Sequence, residues 1–146
     1  MEFVSKSDIE TKQKAGELIK DIVEKEAGST AHVLALQGDL GSGKTTFTQG
    51  VAEALNITER VNSPTFVIEK IYKIENHPCW EHLIHIDAYR LDNENELAHL
   101  GWKEVIENPK NLIVIEWSEK VQGLLPETAT KISFSFLNES DRKIIW

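Results

Sequence analysis

Residues 38–45, Gly38-Asp39-Leu40-Gly41-Ser42-Gly43-Lys44-Thr45, match the pattern G-x-x-x-x-G-K-[ST] of a phosphate-binding P-loop. Glycines at this spacing permit a tight turn whose backbone N–H groups face phosphate oxygens. Lys44 supplies positive charge for the β- and γ-phosphates, and the hydroxyl of Thr45 is a ligand for Mg²⁺. The start of the following helix adds its own partial positive charge. This stretch therefore predicts a nucleotide-binding site.

The sequence on either side of the motif fits this prediction. Residues 31–36 are a short apolar run, which predicts a buried strand. After the motif, apolar residues recur at helical spacing, and the helix is expected to end near Asn56. A glycine-rich turn without a nucleotide is the alternative, but it does not explain Lys44 and Thr45 in register. The expected nucleotide contacts are Gly38, Asp39, Leu40, Gly41, Ser42, Gly43, Lys44, Thr45 and Thr46.

The composition is that of a single globular domain covering residues 1–146. The sequence has no apolar run after Met1 and no segment of membrane-spanning length, so we expect no membrane association. Its one cysteine, Cys79, excludes an internal disulfide and agrees with a reducing compartment. These features favour a cytoplasmic protein.

The net charge of −8 disfavours direct binding of nucleic acid, which relies on basic patches. Only three arginines are present: Arg60, Arg90 and Arg142. We therefore expect any role in nucleic-acid metabolism to depend on a protein partner.

The first helix is predicted from a capping box at Ser7-Asp8-Ile9-Glu10. We expect it to run to about Ala27 and to stop at Gly28. The apolar residues expected on its packed face are Ile9, Leu18, Ile19, Ile22 and Val23.

The middle of the chain predicts an antiparallel hairpin followed by two short helices. Residues 66–74 are rich in β-formers, residues 83–86 form a second strand, and residues 75–81 connect them. One helix is expected to start at residues 92–94 and to stop at Gly101, and another to cover residues 102–107.

The last third of the chain predicts a buried strand and a closing hairpin. Residues 112–115 are continuously apolar, as a parallel strand covered on both faces requires. Residues 132–136 alternate between apolar and polar, and residues 143–146 are expected to pair with them. The predicted fold is a three-layer α/β P-loop NTPase domain. Its mixed sheet has a parallel core around the P-loop strand and antiparallel margins.

Two apolar strands end in an acid: residues 83–86 run into Asp87, and residues 112–115 run into Glu116. Ligands of α/β sheets bind beyond the carboxyl ends of the strands, where the P-loop also lies. P-loop enzymes need one acid behind Mg²⁺ and one group that orients the attacking water. We assign Glu116 to the metal side and Asp87 to the water. The alternative for each is a solvated acid at a strand end.

Two further residues have open roles. Thr65, within Ser63-Pro64-Thr65, is either a switch residue that contacts the nucleotide or a turn residue beside Pro64. Arg90 either contacts phosphate or forms a structural ion pair.

Other candidate features are weaker. His77, His82 and His85, together with Cys79, match no standard zinc spacing. The four tryptophans are scattered, so we expect them to be packing residues. The guanine-binding motif Asn-Lys-x-Asp is absent, which favours ATP over GTP.

Four motifs occur in an order that resembles a known family. They are residues 38–47, Ser63-Pro64-Thr65-Phe66, His85-Ile86-Asp87-Ala88-Tyr89-Arg90-Leu91 and Ile115-Glu116-Trp117. Together they resemble the bacterial TsaE family, the small P-loop ATPase of tRNA threonylcarbamoyladenosine biosynthesis. The resemblance extends over nearly the whole chain.

The resemblance implies ATP hydrolysis with Mg²⁺ in support of two partners, TsaD and TsaB, which act on tRNA beside the anticodon. It implies that Thr45 and Glu116 hold the metal and that Asp87 is the catalytic aspartate, while residues 63–65 form the switch. Lys44 would stabilise charge during the reaction. The family's adenine pocket involves the N-terminal segment, where no motif identifies a single residue. The connection at residues 75–81 is longer than usual for the family, so its contacts are not transferred.

Two other functions remain open. A small nucleoside or metabolite kinase would need a substrate pocket and a lid with clustered arginines, for which the chain offers little. A nucleotide-gated binding module would keep Lys44 and Thr45 but would not need Asp87.

Overall fold

A computed structural model describes residues 1–25, 28–62 and 68–146 of the chain. Strands and helices alternate through most of it. In chain order they are β1 Glu2–Ser5, α1 Asp8–Glu24, β2 His32–Gly38, α2 Lys44–Ala54, β3 Glu69–Lys73, β4 His82–Asp87, α3 Glu94–His99, α4 Trp102–Glu107, β5 Asn111–Glu116, β6 Thr130–Phe136 and β7 Arg142–Ile145. Two short 3₁₀ turns, Ser118–Lys120 and Gln122–Leu124, lie between β5 and β6.

The described strands form one seven-stranded sheet in the order β1-β7-β6-β2-β5-β4-β3. The four inner strands β6, β2, β5 and β4 are parallel to one another. The hairpins β3–β4 and β6–β7 are antiparallel, as is the pair β1–β7. The predicted mixed sheet, with a parallel core around the P-loop strand and antiparallel margins, is confirmed.

Helices cover both faces of the sheet, which gives the three predicted layers. On one face α1 and α2 pack against alternate residues of the strands, such as Leu34, Leu83 and Val114. On the other face α3, α4 and the 3₁₀ turns pack against the intervening residues, such as Val33 and Ile113. This two-sided burial explains why the central strands are continuously apolar. No helix in the described part of the chain is both long and apolar enough to cross a bilayer.

The predicted capping box starts α1. The Ser7 hydroxyl accepts a hydrogen bond from the N–H of Glu10, and the Glu10 carboxylate accepts one from the N–H of Lys6. The prediction was wrong for Ile9, whose side chain is 69% exposed. The buried stripe contains Thr11, Ala15, Leu18, Ile19 and Ile22, and Ile9 lies well around the helix from it.

Several element boundaries differ from the predictions by a few residues. Helix α1 ends at Glu24, and the predicted end near residue 27 falls outside the described residues. Strand β3 begins at Glu69, and the predicted residues 66–67 also lie outside the described part. Strand β1 was not predicted, because four residues with two charged or polar ends give little alternation signal.

Candidate nucleotide-binding site

The predicted P-loop connects the end of β2 to the start of α2 and depends on glycine conformations. Gly38 has a φ of 149°, and a Cβ there would lie 2.5 Å from the carbonyl oxygen of Phe134. Gly43, the residue before α2, has a left-handed φ of 109° and makes no side-chain cap. The first N–H groups of α2 therefore have no side-chain cap from Gly43 and are available to an anion.

The ammonium of Lys44 lies inside the loop. It donates to the carbonyl oxygens of Gly38 and Asp39 at 2.6 Å and 2.8 Å, and it lies 4.2 Å from the centre of the Trp117 ring. Burial lowers the pKa of Lys44 below its ordinary value, and nearby carboxylates, with Glu116 the first among them, partly oppose that shift. The Lys44 ammonium thus joins two carbonyl groups of the loop and places a positive charge inside it.

Thr45, Glu116 and His85 form a chain of hydrogen bonds at the start of α2. The Thr45 hydroxyl donates to Oε1 of Glu116 at 2.8 Å, and the other carboxylate oxygen, Oε2, lies 2.5 Å from Nε2 of His85. Glu116 and His85 are both buried. A buried carboxylate needs such partners, because an unpaired charge in a low-dielectric interior is unstable.

These residues fit a hard cation such as Mg²⁺. The Thr45 hydroxyl gives its hydrogen to Glu116, which leaves the oxygen lone pairs available as a ligand. Oxygen donors and carboxylates are what Mg²⁺ prefers. The predicted pair Thr45 and Glu116 is therefore brought together, although its role with metal remains a prediction.

Asp87 lies opposite Glu116 in the register of β4 and β5. Its Oδ1 accepts a hydrogen bond from the N–H of Tyr89 at 2.9 Å, which fixes the carboxylate near the end of the strand. Asp87 and Arg90 both line the same cavity as the P-loop. The structure therefore places both predicted strand-end acids beside the loop.

The cavity has a volume of about 400 Å³. Of the predicted nucleotide contacts, its wall includes Leu40, Gly41, Gly43, Lys44, Thr45 and Thr46. Gly38, Asp39 and Ser42 do not line the cavity: the carbonyl groups of the first two bind the Lys44 ammonium, and Ser42 is buried with its N–H on the Asp39 carbonyl. Thr65, with the rest of the predicted switch Ser63-Pro64-Thr65, lies outside the described residues.

The opposite wall of the cavity was not identified from sequence. It consists of Ser7, Asp8 and Thr11 at the start of α1 and of Ser140 and Arg142 at the β6–β7 turn. These segments meet because β1 pairs with β7. No local sequence signal marks them as a site, apart from the capping box, which indicates only a helix start.

The histidines and tryptophans have mostly structural contacts. Nδ1 of His77 accepts hydrogen bonds from the N–H groups of Cys79 and Trp80, and its ring stacks on Trp80 at 5.1 Å. His77 thus orders the β3–β4 connection. Trp80 and Trp102 are buried packing residues, as predicted. Trp117 differs, since its ring also lines the cavity under Lys44.

A family model described as "Threonylcarbamoyl adenosine biosynthesis protein TsaE" matches residues 6–144 of the chain. The protein of that name from Bacillus subtilis is 41% identical over 112 aligned residues. These residues cover 77% of this chain and 66% of the relative's length. The protein of the same name from Haemophilus influenzae is 33% identical over 86% of this chain and 76% of its own length.

A solved structure also resembles the fold. The crystal structure of YdiB from Bacillus subtilis superposes with a TM-score of 0.74 at 30% sequence identity. The similarity covers 99% of this chain and 82% of that protein. The likeness therefore extends over nearly the whole chain.

Proposed function

The chain belongs to the TsaE family, and on that premise we propose that it binds and hydrolyses ATP with Mg²⁺ in support of the threonylcarbamoyladenosine modification of tRNA. The family carries the assignment to tRNA threonylcarbamoyladenosine biosynthesis.

One observation carries the proposal. Lys44, Thr45, Asp87 and Glu116 come from three separate segments, yet all of them line one cavity at the carboxyl end of the parallel strands. A cation, a hydroxyl and two carboxylates around a phosphate-binding loop are the groups that phosphoryl transfer to water requires.

Each residue has a distinct part in the proposed reaction. Lys44 and the N–H groups of the loop stabilise the charge that develops on the phosphate oxygens. Thr45 and Glu116 hold Mg²⁺, which when bound neutralises phosphate charge and orients the substrate. Asp87 orients the attacking water and accepts its proton.

The sheet order supports one direction for the bound nucleotide. Asp87 and Glu116 lie on β4 and β5, to one side of β2, so the terminal phosphate belongs on that side. The nucleoside then extends to the other side, towards Thr11 and Arg142. This orientation agrees with an adenine pocket that involves the N-terminal segment.

We further propose that TsaD and TsaB are the partners and that tRNA is reached through them. The net charge of −8 supports an indirect contact, because a phosphate backbone repels an acidic surface. Partners that act on tRNA also favour a cytoplasmic location. Residues 63–65 are the proposed segment through which nucleotide state affects the partners.

The proposal is tested by measuring ATP turnover with Mg²⁺ for the chain alone and with purified TsaD and TsaB. We expect slow turnover alone and faster turnover with the partners, because closure by a further element completes other P-loop sites. No turnover in either condition, with ATP still bound, would favour the binding-module alternative.

A second measurement tests the partner assignment. The affinity for the TsaD–TsaB pair is determined with ATP, with ADP and without nucleotide. Because a ligand shifts an equilibrium only through different affinities for its states, equal values would exclude a nucleotide switch. Tight, salt-sensitive binding of tRNA by the chain alone would contradict indirect access.

A further inference from the structure

A buried histidine, His85, lies behind the proposed metal ligands and has no part in the proposed reaction. His85 interrupts the apolar run of β4, and its side chain is 0% exposed. We propose that His85 is a positioning residue that fixes the Glu116 carboxylate and thereby sets the affinity of the site for Mg²⁺. This inference rests on the proposed function, because it assumes that Glu116 and Thr45 hold the metal.

The two oxygens of Glu116 have separate partners. Oε2 faces Nε2 of His85 at 2.5 Å, and Oε1 accepts the hydroxyl hydrogen of Thr45 at 2.8 Å. Rotation of the carboxylate about its terminal bond would break both contacts. His85 therefore determines which oxygen is left for Thr45, and through Thr45 it orients the hydroxyl that is to bind the metal.

The hydrogen-bond partner also assigns the histidine tautomer. With the Glu116 carboxylate as the acceptor, Nε2 of His85 carries the hydrogen and donates a hydrogen bond to Glu116. Nδ1 of His85 has no hydrogen-bond partner among the described residues. The contact with Glu116 is thus the hydrogen bond that orients this ring within the described part of the chain.

A purely structural role explains His85 poorly. Its neighbours on the same face of the sheet, Leu83 and Val114, are apolar and fully buried. A leucine at position 85 would continue this packing without burying an unpaired ring nitrogen, which is unfavourable. The polar ring is therefore accounted for by the carboxylate that it holds.

Side chains that orient a metal ligand in this way affect the metal affinity of the site. Replacing such a partner generally weakens metal affinity by about 10- to 100-fold. His85 is not among the residues that line the cavity, so its replacement should leave nucleotide binding without metal nearly unchanged. The expected signature is a selective change in Mg²⁺ dependence.

The test compares His85→Leu with His85→Gln, whose amide nitrogen reaches the position of Nε2. Binding of a fluorescent ATP analogue is titrated against Mg²⁺, and again in EDTA. For His85→Leu we expect the half-saturating Mg²⁺ concentration to rise about 10-fold or more, with little change in EDTA. His85→Gln should restore most of the wild-type value. Equal Mg²⁺ dependence in all three proteins would overturn the inference.

Two controls separate positioning from general damage. His32→Leu removes a comparable hydrogen bond, between Nε2 of His32 and the Thr130 hydroxyl, at the opposite end of β2. It should leave the Mg²⁺ titration unchanged. In a Glu116→Gln background, His85→Leu should have no additional effect on Mg²⁺ dependence. A full additional effect would show that His85 does not act through Glu116.

A measurement on the unmodified protein decides the matter if His85→Leu does not fold. The ¹⁵N shifts of the His85 ring report which nitrogen is protonated. We expect the Nε2–H tautomer, with shifts that change on addition of Mg²⁺ and ATP. An Nδ1–H tautomer would overturn the inference about His85 but not the proposed function. A wild-type protein without Mg²⁺-dependent ATP binding would overturn both.

Discussion

Asp87 and Glu116 lie directly opposite each other in the register of two parallel strands, yet their surroundings differ. Glu116 is buried, and both of its oxygens are bound, by Thr45 and His85. Asp87 is half-buried on the cavity wall. Two equivalent strand ends thus present one buried and one half-buried carboxylate, which suits the proposed metal ligand and the proposed water-orienting base.

Asp87→Asn should abolish most hydrolysis while leaving ATP binding intact. The amide keeps the size of the side chain and its acceptor for the N–H of Tyr89, but it cannot take a proton from water. We expect turnover with partners to fall by about 10²- to 10⁴-fold. Single-turnover hydrolysis and equilibrium ATP binding are measured on the same preparation.

The matched control is Asp92→Asn, an exposed aspartate outside the cavity wall. It should hydrolyse ATP at the wild-type rate. Wild-type turnover by Asp87→Asn would instead exclude Asp87 as the catalytic group.

Lys44→Ala should weaken ATP binding without unfolding the domain. The ammonium is lost from the loop together with its bonds to the carbonyl groups of Gly38 and Asp39. A hydrogen bond between the ammonium and a charged phosphate oxygen would contribute about 1.5–3 kcal/mol. We therefore expect the affinity for ATP to fall by about 10- to 100-fold. Calorimetric titration with ATP checks the affinity, and circular dichroism checks the fold.

Lys12→Ala is the corresponding control, since Lys12 forms a solvent-exposed ion pair with Glu53 on the helical face. Its ATP affinity should equal that of the wild type. If Lys44→Ala behaves in the same way, the loop does not bind phosphate.

Two glycines in the α1–α2 contact should respond to alanine with opposite signs. A Cβ on Gly16 would make an ordinary 3.8 Å contact with Ala54, so Gly16→Ala should stabilise the protein by about 0.5–1 kcal/mol through helix propensity. A Cβ on Gly50 would lie 2.6 Å from Cα of Lys12. Gly50→Ala should therefore destabilise by about 1–3 kcal/mol. Urea unfolding of both variants gives the comparison, and changes of equal sign would contradict the described helix contact.

His32 should make the protein less stable in mild acid. Burial, with a smaller effect of Lys25, lowers its pKa below the ordinary value of 6.5. Between the lowered pKa and 6.5 the unfolded chain binds more protons than the folded one, so stability falls as the pH drops through this range. Above 6.5 the contribution is fully present.

The variant His32→Gln keeps a polar group near Thr130 but does not titrate. Urea unfolding between pH 8 and pH 5 should show a shallower loss of stability than in the wild type. Parallel pH profiles would mean that His32 does not contribute to the acid sensitivity.

Sequence patterns predicted the parts of the fold that depend on neighbouring residues. The capping box at Ser7, the hairpins and the apolar central strands each leave a local signal, and all were found in the structure. Ile9 was misassigned because apolar character alone does not give its angle around the helix. Strand β1 was missed because its stability comes from pairing with a distant strand.

The candidate site likewise contains residues that a local sequence pattern predicted and residues that only long-range contacts bring in. Lys44 and Thr45 were identified from a motif with fixed spacing, and Asp87 and Glu116 from their positions at strand ends. Arg142 lies on the predicted β6–β7 hairpin, but that hairpin stands beside the P-loop because β6 pairs with β2, a long-range contact that no local pattern encodes. Likewise, nothing in the sequence indicated that His85 would lie against Glu116 rather than in an apolar core.

The sheet order has a consequence for how the protein assembles during translation. Within the described sheet, β1 has β7 as its strand neighbour, so the first strand to be made joins the sheet through the last. Before residues 142–145 have left the ribosome, the nascent chain already contains the P-loop. It still lacks Arg142 and β7, the strand that anchors β1. The nucleoside side of the cavity should therefore form last, and ATP should not be retained until synthesis has passed β7.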